Sequence, residues 1–248
     1  MRILVLGDSD SAGDHTGGSN WPDFVRDGLH ATGIPDVTFD SVRFTAVPAN
    51  APAYATRKVS ELAPDVVILP VSAWPFTHKL VEYRVQRLFG KRAARWYQRW
   101  EHRFDNATRK PGSSPSGVNQ AARSALRRLI GTSSQMGANE LADHYREVFR
   151  ALARFEDTQV VAMMYPGVTR ASLSPRVAAM RVRFANEMRA AAEVHRFGWV
   201  DGASVFPAGV DIRTFALDDL HFNEAGHRLI ANAMLRALES PLRTASNS

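Results

Sequence analysis

Apolar residues follow two alternating rhythms along this chain. Ile3 to Leu6 is a short continuous apolar run closed by Gly7, the pattern of a strand buried on both faces. Trp21, Phe24, Val25 and Leu29 then recur at helical spacing, predicting a helix over Asn20 to Thr32 with Asn20 as N-cap and Pro22 in its first turn. Val37 to Phe44 is β-rich and partly alternating, Ala53 to Leu62 reads as a helix, and Val66 to Leu69 is a second all-apolar strand. Later come a helix at Leu141 to Ala153, a strand at Gln159 to Met164, a helix at Val177 to His195, a strand at Gly198 to Val200 and a helix at Glu224 to Leu238. Strands separated by helices of roughly ten or more residues predict a parallel sheet with right-handed crossovers. The expected fold is α/β, a three-layer flavodoxin-like sandwich around about five strands. No internal repeat is visible. One domain over residues 1–240 followed by a flexible tail at 241–248 accounts for the length.

The chain has no cysteine, which excludes thiol catalysis, thiolate metal sites and a disulfide scaffold. The apolar stretch before Gly7 is too short for a signal peptide or a membrane span, so the expected compartment is the cytoplasm. The eight histidines form no His-x₃-His or carboxylate grouping, and no glycine-rich phosphate loop appears. No metal and no cofactor are therefore expected.

Two short segments carry chemistry. Gly7-Asp8-Ser9 follows the first strand, and Asp218-Asp219-Leu220-His221 precedes the last helix. A serine hydroxyl is a poor nucleophile at neutral pH unless a base lies within hydrogen-bond reach and a carboxylate orients that base. The two segments supply those three residue types at element ends, where an α/β sheet gathers its site. The bland readings are a phosphate-binding or plain βα turn for Gly7-Asp8-Ser9, a helix N-terminal carboxylate for Asp218, and a surface role for His221. His227 suits packing or capping better than catalysis.

Gly7-Asp8-Ser9-Asp10-Ser11-Ala12-Gly13 resembles the first block of the SGNH (GDSL) hydrolases. The stretch from Asp218 to His227 resembles their last block, an Asp-x-x-His followed by Gly-His. The resemblance implies Ser9 as nucleophile, His221 as general base and Asp218 as its orienting carboxylate. It further implies an oxyanion hole built from the Ser9 N–H, a second-block glycine N–H and an asparagine after the third strand. Here that strand runs into Pro70-Val71-Ser72-Ala73-Trp74-Pro75, with no asparagine. Gly137-Ala138-Asn139-Glu140 matches that block instead, which makes Asn139 the expected side-chain donor, with a helix N-cap as its alternative, and residues 74–136 a helical insertion. The second-block glycine has no counterpart, and Ala49 is its best positional match. Asn50 beside it tolerates a left-handed backbone or donates through its side chain.

The insertion carries the basicity. Phe76 to Gly131 holds thirteen Lys/Arg against three acids, a net +10, which leaves −4 for the remainder of a chain of net +6. Lys79 to Arg103 interleaves eight Lys/Arg with Leu80, Tyr83, Val85, Leu88, Phe89, Trp96, Tyr97 and Trp100 at helical spacing, and Gln120 to Ile130 is a candidate second helix. One reading is a helical hairpin that packs its apolar stripe and solvates its charge. The other is a lid that recruits an anionic or amphiphilic acyl donor, such as an acyl-carrier protein, an acyl-CoA or an anionic lipid. No nucleic-acid reader motif accompanies the charge. The resulting expectation is a serine-dependent ester or thioester hydrolase, or an acyltransferase, acting through an acyl-enzyme on an acylated small molecule or acyl carrier. The rival is an SGNH-fold binding protein with an impaired oxyanion hole.

Overall fold

The computed structural model describes residues 1–7, 11, 20–34, 36–108, 129, 132–167, 173–217 and 221–245. In chain order the elements are β1 (Arg2–Gly7), α1 (Trp21–Ala31), β2 (Thr38–Arg43), α2 (Ala51–Leu62), β3 (Val66–Val71), α3 (Trp74–Thr77), β4 (Lys79–Leu80), α4 (Val81–Thr108), β5 (Ser133–Ser134), α5 (Ala138–Leu152), β6 (Gln159–Met164), α6 (Pro175–Val194), β7 (Gly198–Val200), a 3₁₀ turn (Ile212–Phe215) and α7 (Glu224–Ala245). They form two compact units: Met1–Ala73 with Ala138–Ser248, and Trp74–Gly137.

In the larger unit five strands pair in parallel in the order β2-β1-β3-β6-β7. This is the expected flavodoxin-like α/β sandwich. The chain first steps from β1 outward to β2, then returns past β1 to β3 and continues the other way. Right-handed crossovers therefore place successive helices on opposite faces. Contacts of α1 with α7 form one helical layer, and contacts of α2 with α5 and of α5 with α6 form the other. Covered on both sides, β1 and β3 consist of buried residues apart from Arg2, which is why their apolar runs do not alternate. Pro70 lies inside β3, yet β1 pairs with β3 only as far as Val5↔Ile68, so its missing N–H costs no ladder bond on that side. Ile3, Val5, Ile68, Val161 and Met163 pack with Trp21, Val25, Ile230 and Met234 in one core.

Asn20 caps α1 as predicted: Asp23 N–H donates to Asn20 Oδ1 at 3.1 Å and Asn20 N–H to Asp23 Oδ2 at 3.1 Å. Two helices start earlier than expected, α2 at Ala51, which is buried in register with Ala55 and Val59, and α5 at Ala138, whose first-turn Asn139 and Glu140 carry no apolar signal. The last helix runs on to Ala245, so the tail expected at 241–248 is helical over its first five positions. Leu242 continues the four-residue spacing from Leu238, and the helix carries that spacing past Pro241.

The smaller unit is not purely helical. Lys79↔Ser134 and Leu80↔Ser133 form an antiparallel pair, and Gln135 N–H donates to Pro75 O at 2.9 Å. Helix α4 breaks at Gly90, whose φ of 82° and ψ of 175° leave the helical region. Beyond the break the chain folds back: Gln98 Nε2 donates to Glu82 Oε1 at 2.5 Å, and Val81, Val85 and Tyr97 share a small core. Along one straight helix, residues 82 and 98 would stand about 24 Å apart. The expected second helix at Gln120 to Ile130 falls outside the described residues except Leu129.

Candidate active site

In an open parallel sheet the crevice lies beyond the carboxyl ends of the strands, where the strand order reverses. Here that point is between β1 and β3. β1 ends at Gly7, whose carbonyl accepts from Phe44 N–H at 2.7 Å. A Cβ on Gly7 would collide with the side chain of Ser11, so the glycine admits a serine folded back against the strand end. Ser11 is buried, and its carbonyl accepts from Asn20 Nδ2 at 3.2 Å. The capping residue of α1 thus also holds Ser11 in place. Ser9 is two positions along the chain from each of these anchors and itself lies outside the described residues.

His221 sits in a loop with several fastenings. Ala216 and Phe222 form an antiparallel bridge, and Leu217 N–H donates to His221 O at 2.8 Å. Asn223 caps α7 by accepting from Gly226 N–H at 3.0 Å, and its Nδ2 donates to Thr214 O at 3.1 Å and Ala216 O at 3.4 Å. A Cβ on Gly226 would lie 2.7 Å from Phe215 O and 2.9 Å from Phe222 Cβ, so only glycine lets the helix start so close to the loop. Phe222 is fully buried, stacked on Phe206 at 5.1 Å and edge-on to Tyr165 at 6.0 Å between ring centroids. Tyr165 directly follows β6, and its N–H donates to Val71 O at the end of β3 at 2.9 Å. The chain of contacts Val71–Tyr165–Phe222 therefore sets His221 at the carboxyl edge of the sheet, the edge where β1 also ends. Asp218 lies outside the described residues.

His227 is fully buried beside Phe222, with neither ring nitrogen hydrogen-bonded among the described residues. Burial, reinforced by the positive charge of nearby His221, lowers its pKa to about 4.

The other two expected donors are both exposed. Asn139 is exposed in the first turn of α5, one residue inside the helix and not at its N-cap. Ala49 is exposed in the turn closed by Ala51 N–H on Pro48 O at 2.9 Å. Asn50 has φ −88° and ψ 6°, so it does not adopt the left-handed conformation it would tolerate. One bond brings α5 toward the crevice: Ser72, just past β3, donates its N–H to Tyr145 Oη at 2.9 Å. Two contributors have no signal in the sequence. Arg181 Nη2 donates to the carbonyls of Tyr165 and Pro166 at 2.9 and 2.6 Å, bracing the loop after β6. Gly202 packs so tightly on the Met164 carbonyl that no side chain fits.

No protein-family model and no curated protein matches this sequence. Solved structures match along nearly its whole length. An acetyl xylan esterase, AlAXEase, superposes with a TM-score of 0.58 at 15% identity, covering 96% of this chain and 99% of its own. The psychrotrophic esterase EstA from Pseudoalteromonas sp. gives 0.54 at 14% identity, covering 98% of each chain. The lipase/acylhydrolase from Enterococcus faecalis gives 0.54 at 13% identity, covering 97% of this chain and 96% of its own. A GDSL-like lipase from Bacteroides thetaiotaomicron is a further match. The chain shares its fold with these esterases and lipases.

Proposed function

We propose that this protein is a serine-dependent hydrolase of esters or thioesters, or an acyltransferase using the same acyl-enzyme. The observation that carries the reading is the shared carboxyl edge: β1 ends there at Gly7, the first residue of Gly7-Asp8-Ser9, and Phe222 holds the backbone of His221 there through Tyr165 and Val71. In the proposed mechanism Ser9 Oγ attacks the acyl carbonyl while His221 takes the hydroxyl proton. Asp218 holds the imidazole tautomer and stabilises the imidazolium. Collapse of the tetrahedral intermediate breaks the bond to the leaving group, which receives the proton from His221. Water or an acceptor alcohol then attacks the acyl-enzyme with His221 again as base, and collapse breaks the Ser9 Oγ–acyl bond as His221 returns the proton to Ser9 Oγ.

The oxyanion is assigned to the N–H groups of Ser9 and Ala49 and the side chain of Asn139. The Ser72–Tyr145 bond supports the part given to Asn139, because it ties the helix bearing that residue to the end of β3. The fold neighbours whose names specify acetyl xylan and acetyl-xylooligosaccharide esterases favour a short acyl group on a hydroxylated substrate.

The exposure of Asn139 and Ala49, and the lack of an asparagine directly after β3, favour a second reading: a binding protein on this fold with an incomplete oxyanion hole. A fluorophosphonate probe separates the two when combined with p-nitrophenyl esters and acyl thioesters of graded length. The hydrolase reading expects covalent labelling at Ser9 and ester turnover that falls by about 10³ or more in Ser9→Ala with unchanged thermal unfolding. Labelling that persists in Ser9→Ala, or no turnover of any ester, removes it.

A further inference from the structure

Arginines in the larger unit are widely paired with acids: Arg2 with Asp40, Arg26 with Asp23, Arg146 with Glu187, Arg213 with Asp211 and Arg228 with Glu224. The hairpin of α4 differs. Arg87, Lys91, Arg92 and Arg95 are exposed and form no ion pair among the described residues. Between residues 81 and 99 six Lys/Arg face a single acid, Glu82, which accepts from Gln98 across the hairpin. Four cations this close together, Arg87, Lys91, Arg92 and Arg95, with no ion pair among the described residues, call for negative charge from outside the chain.

The same hairpin exposes its largest apolar side chains. Leu88 and Phe89 directly precede the break at Gly90 and are 50% and 67% exposed, and Trp96 on the returning arm is 68% exposed. The arms are held together by Val81, Val85 and Tyr97, so Leu88 and Phe89 stand at the turn and not in the seam. Residues 86–92 are exposed without interruption. Convex apolar knobs ringed by cations suit a fluid interface, which moulds itself around them, better than a folded partner, which must supply a matching pocket. Phenylalanine, tryptophan and leucine enter the headgroup–acyl boundary while arginine and lysine meet anionic headgroups. No helix among the described residues is long and apolar enough to cross a membrane, so the hairpin would lie at the surface.

We propose that the Leu88–Arg92 turn, with Trp96, is a docking site for an anionic lipid surface. The inference concerns binding and holds whichever reaction the larger unit performs.

The test is co-sedimentation of the full chain, carrying Ser9→Ala to silence turnover, with phosphatidylcholine vesicles with and without phosphatidylglycerol, at low and high salt. The expected result is binding to the anionic vesicles that weakens as salt rises and is at least about tenfold weaker on phosphatidylcholine alone. Leu88→Ser with Phe89→Ser should lower binding by about tenfold or more, as should Arg87→Gln with Lys91→Gln and Arg92→Gln. A blue shift of tryptophan emission on vesicle addition should disappear in Trp96→Phe. All these positions are exposed, and unchanged thermal unfolding confirms the comparison. Absence of binding to anionic vesicles overturns the proposal. So does binding undiminished by the Leu88/Phe89 change, which would indicate charge attraction alone and turn attention to an acidic protein.

Discussion

A buried imidazole with no hydrogen-bond partner among the described residues makes His227 a built-in acid sensitivity. Its pKa falls from 6.5 to about 4 on folding, through burial first and the charge of His221 second. The unfolded chain therefore binds the extra proton between these values. Its contribution to stability is fully present above pH 6.5 and is lost as the pH falls toward 4, by up to about 3 kcal/mol. Urea midpoints at pH 7.5 and 4.5 should show this loss in the wild type and much less in His227→Leu. His78, half-buried with its pKa also lowered to about 4 by burial, would leave a residual slope. At Asn139 the expected outcome concerns catalysis: Asn139→Ala should raise the barrier by about 3 kcal/mol, seen as a fall of roughly a hundredfold in kcat with KM little changed. Ser9, Asp218 and His221 stand out in the sequence as a proposed triad because the chemistry restricts the residue types and the blocks restrict their spacing. Arg181 and Tyr145 are not legible, because each acts through a bond to a carbonyl or N–H at a remote position, and no local pattern marks such a partner.

At the scale of elements, the loop before α7 shows how a short segment holds His221, the proposed base, in place. Asn223 both accepts from Gly226 N–H and donates to the carbonyls of Thr214 and Ala216, and these roles separate by substitution. Asn223→Ala loses both and should cost about 1–2 kcal/mol in thermal or urea unfolding. Asn223→Asp keeps the cap and loses the donors. It should retain most of the stability while ester turnover drops several-fold, a difference that parallel melts and kinetics would reveal. Strands β1, β3, β6 and β7 and helices α1 and α6 were legible because burial imposes continuous or helical apolar spacing on them. The pair β4–β5 was not, since two-residue strands of Lys-Leu and Ser-Ser carry no periodicity. The fold-back of α4 was hidden for another reason: one glycine within an unbroken helical pattern gives no warning of a reversal.

Across the whole molecule, charge and architecture divide at the same residues. The Trp74–Gly137 unit carries +10 and the remainder −4. Replacing 74–137 by a Gly/Ser linker of about eight residues should leave a chain that still unfolds cooperatively, since its core lies within the larger unit. Isoelectric focusing should then place it below pH 7, against about 10.0 for the full chain. Loss of a cooperative transition would mean that the smaller unit is needed for the larger one to fold. The division also bears on the order of events during folding. Val66 pairs with Gln159, so the sheet's central seam waits for a strand made only after the entire 74–137 unit. The α4 hairpin closes over a short span and forms early. If it folds first, the effective loop between β3 and β6 shortens, and the cost of joining them falls. A segment that interrupts the fold would thereby act as its internal splint, and Gly90→Val, which strains the reversal at φ 82°, should slow refolding of the sheet as well as weaken the hairpin.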